Sequence, residues 1–278
     1  MPFDWTTLRD PAPKTLAAAR ALAHRAAQWP TRAARANLDA APDDSHTALA
    51  WDERLGALVS ETMPGGATVG LRVASLELQF KSEKFSLPGR TEAEADAWLD
   101  AQLARAGLKA ASGAALPYEV PAVDFACAAG EAAGLRALAG WFAAAAELLE
   151  AQRAKWRRFK PGPSPVRCWP HHFDIAVLVG LEVGHAETAR SIGVGVSPGD
   201  GYYDEPYAYL SPYPRPDPGV ENSNLPALPP GGRWHTKDFF AAVATGSDLV
   251  AAADPRAALA AIIDAGFEFG LAAPAAKP

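Results

Sequence analysis

Between Ser164 and Tyr213 the chain concentrates the side chains best able to do chemistry. His171-His172-Phe173-Asp174 stands near the start, and Asp200, Tyr202, Tyr203, Asp204, Glu205, Tyr207 and Tyr209 follow, with His235 downstream. The apolar alternation from His171 to Leu181 predicts a buried strand. On such a strand His172 and Asp174 share one face, at a backbone spacing of roughly 7 Å, while Phe173, Ile175, Val177 and Val179 take the other. An imidazole beside a carboxylate can hold a divalent cation. Equally, the carboxylate can fix the tautomer of an imidazole that acts as a base. A metal needs a third ligand, for which Asp200, Glu205 and His235 are the candidates. The expected catalytic set is therefore His172, Asp174, Glu205 and His235, with His172 and Asp174 as the metal pair. Tyr202, Tyr207, Tyr209 and Arg167 are the expected substrate contacts.

Each of these residues also has a plain structural reading. A histidine and an aspartate near a strand end can be joined by a hydrogen bond that does nothing further. The tyrosines can pack as one face of an edge strand. Glu182, His185 and His46 read as solvated. Gly193 and Gly195 share a face of the next strand, Ser191 to Val196, where glycine leaves room for a ligand or for a close neighbour.

Sharper signatures are missing. The sequence has no GxxxxGK[ST] phosphate loop and no HExxH. Its two cysteines, Cys127 and Cys168, form no CxxC pair, which argues against a thiolate zinc site. A net charge of −6 argues against a broad nucleic-acid footprint. Residues 1–13 lack the apolar core of a signal peptide, and no apolar run of membrane-spanning length is read. The expectation is a soluble cytoplasmic protein with no membrane partner.

The elements that must position these residues follow from period and punctuation. Thr15 opens an Ala-rich helix that Pro30 stops, and residues 31–47 read as a loop. Residues 51–61 fit a short helix or a strand entry. From Val69 the apolar period is two, slipping near Ala74-Ser75, and Phe85 and Leu87 complete a hairpin. Thr91 and Glu94 form a capping box for a helix closed by Gly107. Residues 116–120 read as extended, and a helix over about 131–159 is the longest. Three sequential strands over 171–181, 191–196 and 207–211 suggest an antiparallel meander. The proline-rich segment 212–232 reads as a rigid loop long enough to be a lid, with Trp234 anchoring its return. Thr236 is placed as the cap of a helix through Val243, and a last helix follows Pro255.

The run Ser164-Pro165-Val166, then Trp169, and Phe173-Asp174-Ile175-Ala176 resembles a segment of an uncharacterised bacterial family, a domain of unknown function. The similarity runs from the hairpin near Val69 to Phe239-Phe240. It implies no activity and no site residue. The fold expected is α+β: two antiparallel β units packed on the long helix. Its expected parts are an N-terminal helical extension over 1–65 and a main domain over 66–278. Two functions stay open. One is an enzyme acting on a small polar substrate, a metal-assisted hydrolase or lyase. The other is a non-catalytic module that binds a ligand or partner through the Tyr- and Pro-rich surface 202–218.

Overall fold

Leu49–Asp52 (β1) and Ala57–Ser60 (β2) form an antiparallel hairpin closed by Gly56, whose φ of +58° suits glycine. The meander continues through Val69–Arg72 (β3), Glu77–Phe80 (β4) and Glu83–Ser86 (β5), each antiparallel to the last. The slip in apolar phase at Ala74-Ser75 is a 3-10 turn over Val73–Ser75 that ends on Leu76 in the left-handed region. The boundary expected between 65 and 66 falls inside this meander, because β2 pairs directly with β3.

The fold is a computed structural model that describes residues 3–184, 189–216 and 225–273. It contains both helices and antiparallel sheet, as an α+β chain should, and divides into two compact units. The N-terminal unit comprises Thr15–Ala143 and Arg167–Asp174; the C-terminal unit comprises Met1–Lys14, Ala144–Val166 and Ile175–Pro278.

In the N-terminal unit, Ala17–Ala26 (α1) is followed at once by Gln28–Asn37 (α2). Pro30 does not stop the first helix. It lies in the first turn of the second, where its missing N–H has no intrahelical acceptor to lose. Residues 31–37, expected as loop, are helical for that reason. Glu92–Arg105 (α3) carries the predicted capping box, Thr91 with Glu94, and Gly107 follows at φ +73°. Such a cap contributes about 1 kcal/mol. Residues 116–120 form no strand. Ala132–Trp156 (α4) starts in this unit, where Phe142 stacks on Trp51 and meets Phe173.

In the C-terminal unit, Gly162–Pro163 (β6) pairs with the first strand of the predicted meander, Asp174–Gly180 (β8). Ser191–Ser197 (β9) and Tyr207–Tyr213 (β10) continue it. Arg167–Trp169 (β7), in the N-terminal unit, pairs with β1. Arg233–His235 (β11) and Ala241–Thr245 (β12) extend the C-terminal sheet beside β10. Here the expected helix after Thr236 is a strand. The cap is Thr245 instead, which accepts from the Asp248 N–H and opens Gly246–Ala251 (α5). Pro255–Ala272 (α6) follows as predicted and buries Leu259, Ile262 and Ile263. The helix stretch Ala128–Trp156 is long and apolar enough to cross a membrane, with a mean hydropathy of 1.3, which corrects the reading that no run reaches that length. More than half of its apolar window, 56%, is buried within the protein, as in a core helix.

Candidate functional site

The expected strand from His171 begins three residues late, at Asp174, and the cause is Phe173. Its φ is +59°, in the left-handed region, so the two-residue alternation breaks there. The ring repays that strain by complete burial. It stacks on His24 with centroids 5.0 Å apart and planes 3° apart, and meets Phe142 at 5.1 Å. His171 and His172 are left on an exposed turn, while Asp174 is buried at the strand start. The pair therefore does not share a face of one strand, and the site geometry expected from alternation is not formed.

Around that turn the N-terminal unit gathers a polar cluster that the sequence did not advertise. His24 and Gln28, one helical turn apart, both bond the Pro170 carbonyl, through Nε2 at 2.9 Å and Nε2 at 3.1 Å. Since the carbonyl can only accept, His24 Nε2 carries the proton and the ring is neutral. Burial holds its pKa down at about 4, opposed by the Pro170 bond and assisted by Arg20, His171 and His172. The turn is exposed, but the His171 ring packs against Tyr118 and Trp169; that partial desolvation lowers its pKa too, followed by His172, whose ring lies 4.3 Å away. Cys168 is fully buried, and its thiol is pushed well up by burial and by the Asp174 charge. Arg167, expected as a substrate contact, is engaged by Glu61 at 2.9 Å in this same unit.

Glu205 and His235 belong to the C-terminal unit. Glu205 is buried, and its Oε2 accepts from the Ser247 N–H at 2.6 Å, serving the open N-terminus of α5. Among the described residues no group of three or more His, Cys, Asp or Glu is arranged to hold a metal ion. His46, expected solvated, is buried, with Nδ1 accepting from the Ala41 N–H at 3.2 Å. His185 and residues 217–224 of the predicted lid lie outside the described residues.

What the structure does assemble is the tyrosine set. Side chains of β10 alternate, so Tyr207, Tyr209 and Ser211 share one face, opposite Ser197, Gly195 and Gly193 of β9. The same face takes Arg233 and His235 on β11, paired opposite Val243 and Ala241. Asp200 organises the loop above it: Oδ1 accepts from the Tyr202 and Tyr203 N–H groups and Oδ2 from the Tyr207 hydroxyl at 2.5 Å. His235 stacks on Phe239 at 3.9 Å, and Tyr202 stands edge-on to both rings, at 5.7 and 4.9 Å. The Tyr203 hydroxyl donates to His235 Nδ1 at 2.9 Å. His235 Nε2 must then donate to the Lys237 carbonyl, 2.5 Å away. Arg233 lies over the Tyr203 ring and pairs with Asp248 at 2.6 Å.

The two glycines of β9 separate on this face. Gly195 is covered by Tyr209, whereas a Cβ on Gly193 would meet only the Ser211 carbonyl oxygen, at 3.8 Å. Gly193 is therefore the open floor, flanked by Leu178, which is 51% exposed. Trp234 points the other way, packing on Phe269 and Phe240, and its indole N–H bonds the Pro226 carbonyl at 2.8 Å.

Set against models of known families, curated proteins and solved structures, the chain matches none of them. The site is read from its own residues alone. The sequence pointed to Tyr203 among the chemistry-bearing residues without a role for it, and Phe239 and Arg233 were missed as members of the cluster. The alternation of 207–211 and the Asp200-Gly201 turn were the available signals. The β11 contribution had none, since Arg233–His235 is only three residues long.

Proposed function

We propose that the chain is a recognition module and that the tyrosine face of its C-terminal unit binds a protein partner. One observation carries this reading: Tyr202 is 52% exposed, yet its ring is fixed against His235 and Phe239 and its backbone against Asp200. An exposed aromatic that is already immobilised loses little entropy on binding. Tyrosine and arginine together are the side chains that most often anchor protein interfaces. Leu178, Tyr202 and Tyr213 are exposed apolar side chains of the same unit. A photoreactive phenylalanine analogue at position 202 should crosslink one identifiable protein. Purified, that protein should bind at least tenfold more weakly to Tyr202→Ala, at an unchanged thermal midpoint. Binding that ignores residue 202 would remove the reading.

A catalytic reading is favoured by a different observation, the Tyr203–His235 pair. With Nε2 engaged by a carbonyl, Nδ1 is the basic nitrogen and can take the phenol proton, the arrangement of an acid–base couple. It would serve hydrolysis or elimination on a small polar substrate in a cytoplasmic setting. Turnover lowered at least about a hundredfold in both Tyr203→Phe and His235→Gln, with the residual rate losing the parent's pH dependence, would support it.

A further inference from the structure

The N-terminal unit contains a second candidate site, independent of the tyrosine face. Arg25, Gln28 and Arg32 recur along one side of α1 and α2 and line a cavity of about 490 Å³. That volume is in the range of pockets that enclose a small organic molecule. The opposite wall comes from residues 112–120, where Leu116 and Val120 supply apolar surface and Tyr118 a hydroxyl.

An inventory of hydrogen-bonding groups decides what such a molecule must offer. Both Gln28 donors are used: its Nε2 donates to the His24 and Pro170 carbonyls, and its Oε1 accepts from the Tyr118 hydroxyl at 2.9 Å. Tyr118 keeps its proton, because burial pushes its pKa up to about 12. The arginines are only partly used. Arg25 engages Glu92 through Nε and Nη2, and Arg32 engages Asp96 through Nη2 at 2.6 Å. Among the described residues, Nη1 of each has no protein partner. The surplus is thus in donors, on the terminal Nη1 group of each guanidinium, which can donate to a carboxylate oxygen. The charge sums to −1, since Glu92 and Asp96 offset both arginines and the exposed Glu119 adds one negative charge at the lining, so a ligand can carry little negative charge of its own. That balance disfavours a dianion such as phosphate.

We infer that this cavity binds a small monocarboxylic acid, its carboxylate on Arg25 and Arg32 and its apolar body against Leu116 and Val120. Titration calorimetry on the full chain at low ionic strength tests this with hexanoate, hexanamide and inorganic phosphate. Hexanoate should bind saturably, and hexanamide and phosphate at least tenfold more weakly. Arg32→Gln should weaken hexanoate at least tenfold. Glu119→Gln, at an exposed position that does not threaten the fold, should tighten it severalfold. If Arg32→Gln fails to fold, Arg32→Lys keeps the charge but not the Nη1 donor and should still weaken binding severalfold. Absence of hexanoate binding would overturn the inference. So would hexanamide or phosphate binding as well as hexanoate, or hexanoate affinity unchanged in folded Arg32 variants.

Discussion

Tyr209 lies across Gly195 of the neighbouring strand, so closely that a Cβ on that glycine would sit 2.6 Å from the phenol oxygen. The same Cβ would be 2.9 Å from the Ala176 Cβ on the far side. The phenol end could swing aside, but Ala176 is fixed to the next strand, so the clash cannot be relieved by one rotation. Gly195→Ala should therefore destabilise the protein by about 1–3 kcal/mol, the usual cost of overpacking. Gly193→Ala meets nothing closer than 3.8 Å and should stay within about 0.5 kcal/mol of the parent. Urea unfolding of both variants checks this. Equal effects would mean that Tyr209 does not hold its place over Gly195.

Glu205 should behave as a structural carboxylate. It is buried and accepts the Ser247 N–H, with the Lys14 ammonium 4.0 Å away at the surface. Removing it leaves a helix N–H without its acceptor, so Glu205→Ala should cost about 1–3 kcal/mol. Partner binding at Tyr202 should be unchanged once the variant is folded. Loss of binding at an unaltered unfolding midpoint would return Glu205 to the functional set.

Stability should fall in mild acid, and His24 gives the sign. Its folded pKa of about 4 lies below the ordinary value of 6.5, so between these pH values the unfolded chain binds more protons than the folded one. The stability associated with neutral His24 is thus intact above about pH 6.5, is lost as pH falls towards 4, and does not change further below that. A shift of this size corresponds to about 3 kcal/mol at most. His171 is lowered in the same direction and adds to the slope. Denaturant titrations at pH 7.5 and 4.5 should show this loss, and His24→Gln should reduce it. A His24→Gln variant with the parent's full pH slope would assign the effect elsewhere.

His172 and Asp174 should part company on mutation. His172 is exposed on its turn, so His172→Ala should move the unfolding free energy by no more than about 0.5 kcal/mol. Asp174 is buried, and Asp174→Ala should cost about 1–3 kcal/mol. Elemental analysis of the same proteins bears on the cation. A stoichiometric divalent metal, present in the parent and lost from both variants, would establish the pair as its ligands.

Local signals in the sequence determined much of this protein. The Thr91/Glu94 capping box and Gly107 rest on contacts within a few residues, while the period-two runs of 69–87, the 174–213 meander and the apolar stripe after Pro255 each show as a pattern within their own segment, wherever the partner lies. The tyrosine set was legible too, since alternation on β10 places Tyr207 and Tyr209 together wherever the strand lies. Tertiary structure alone decided the rest. Phe173 takes a left-handed backbone that no local preference favours, because burial against His24 and Phe142 outweighs the strain, and that one residue undoes the alternation joining His172 to Asp174. Thr236 has the look of a helix cap, but residues 241–245 find a ladder partner in β10, whose paired residues lie 32 to 38 positions back in the chain. His24 and Gln28 meet the Pro170 carbonyl, and Tyr118 meets Gln28, from three distant stretches of the chain. Side chains brought together by burial of other groups leave no pattern of spacing to read.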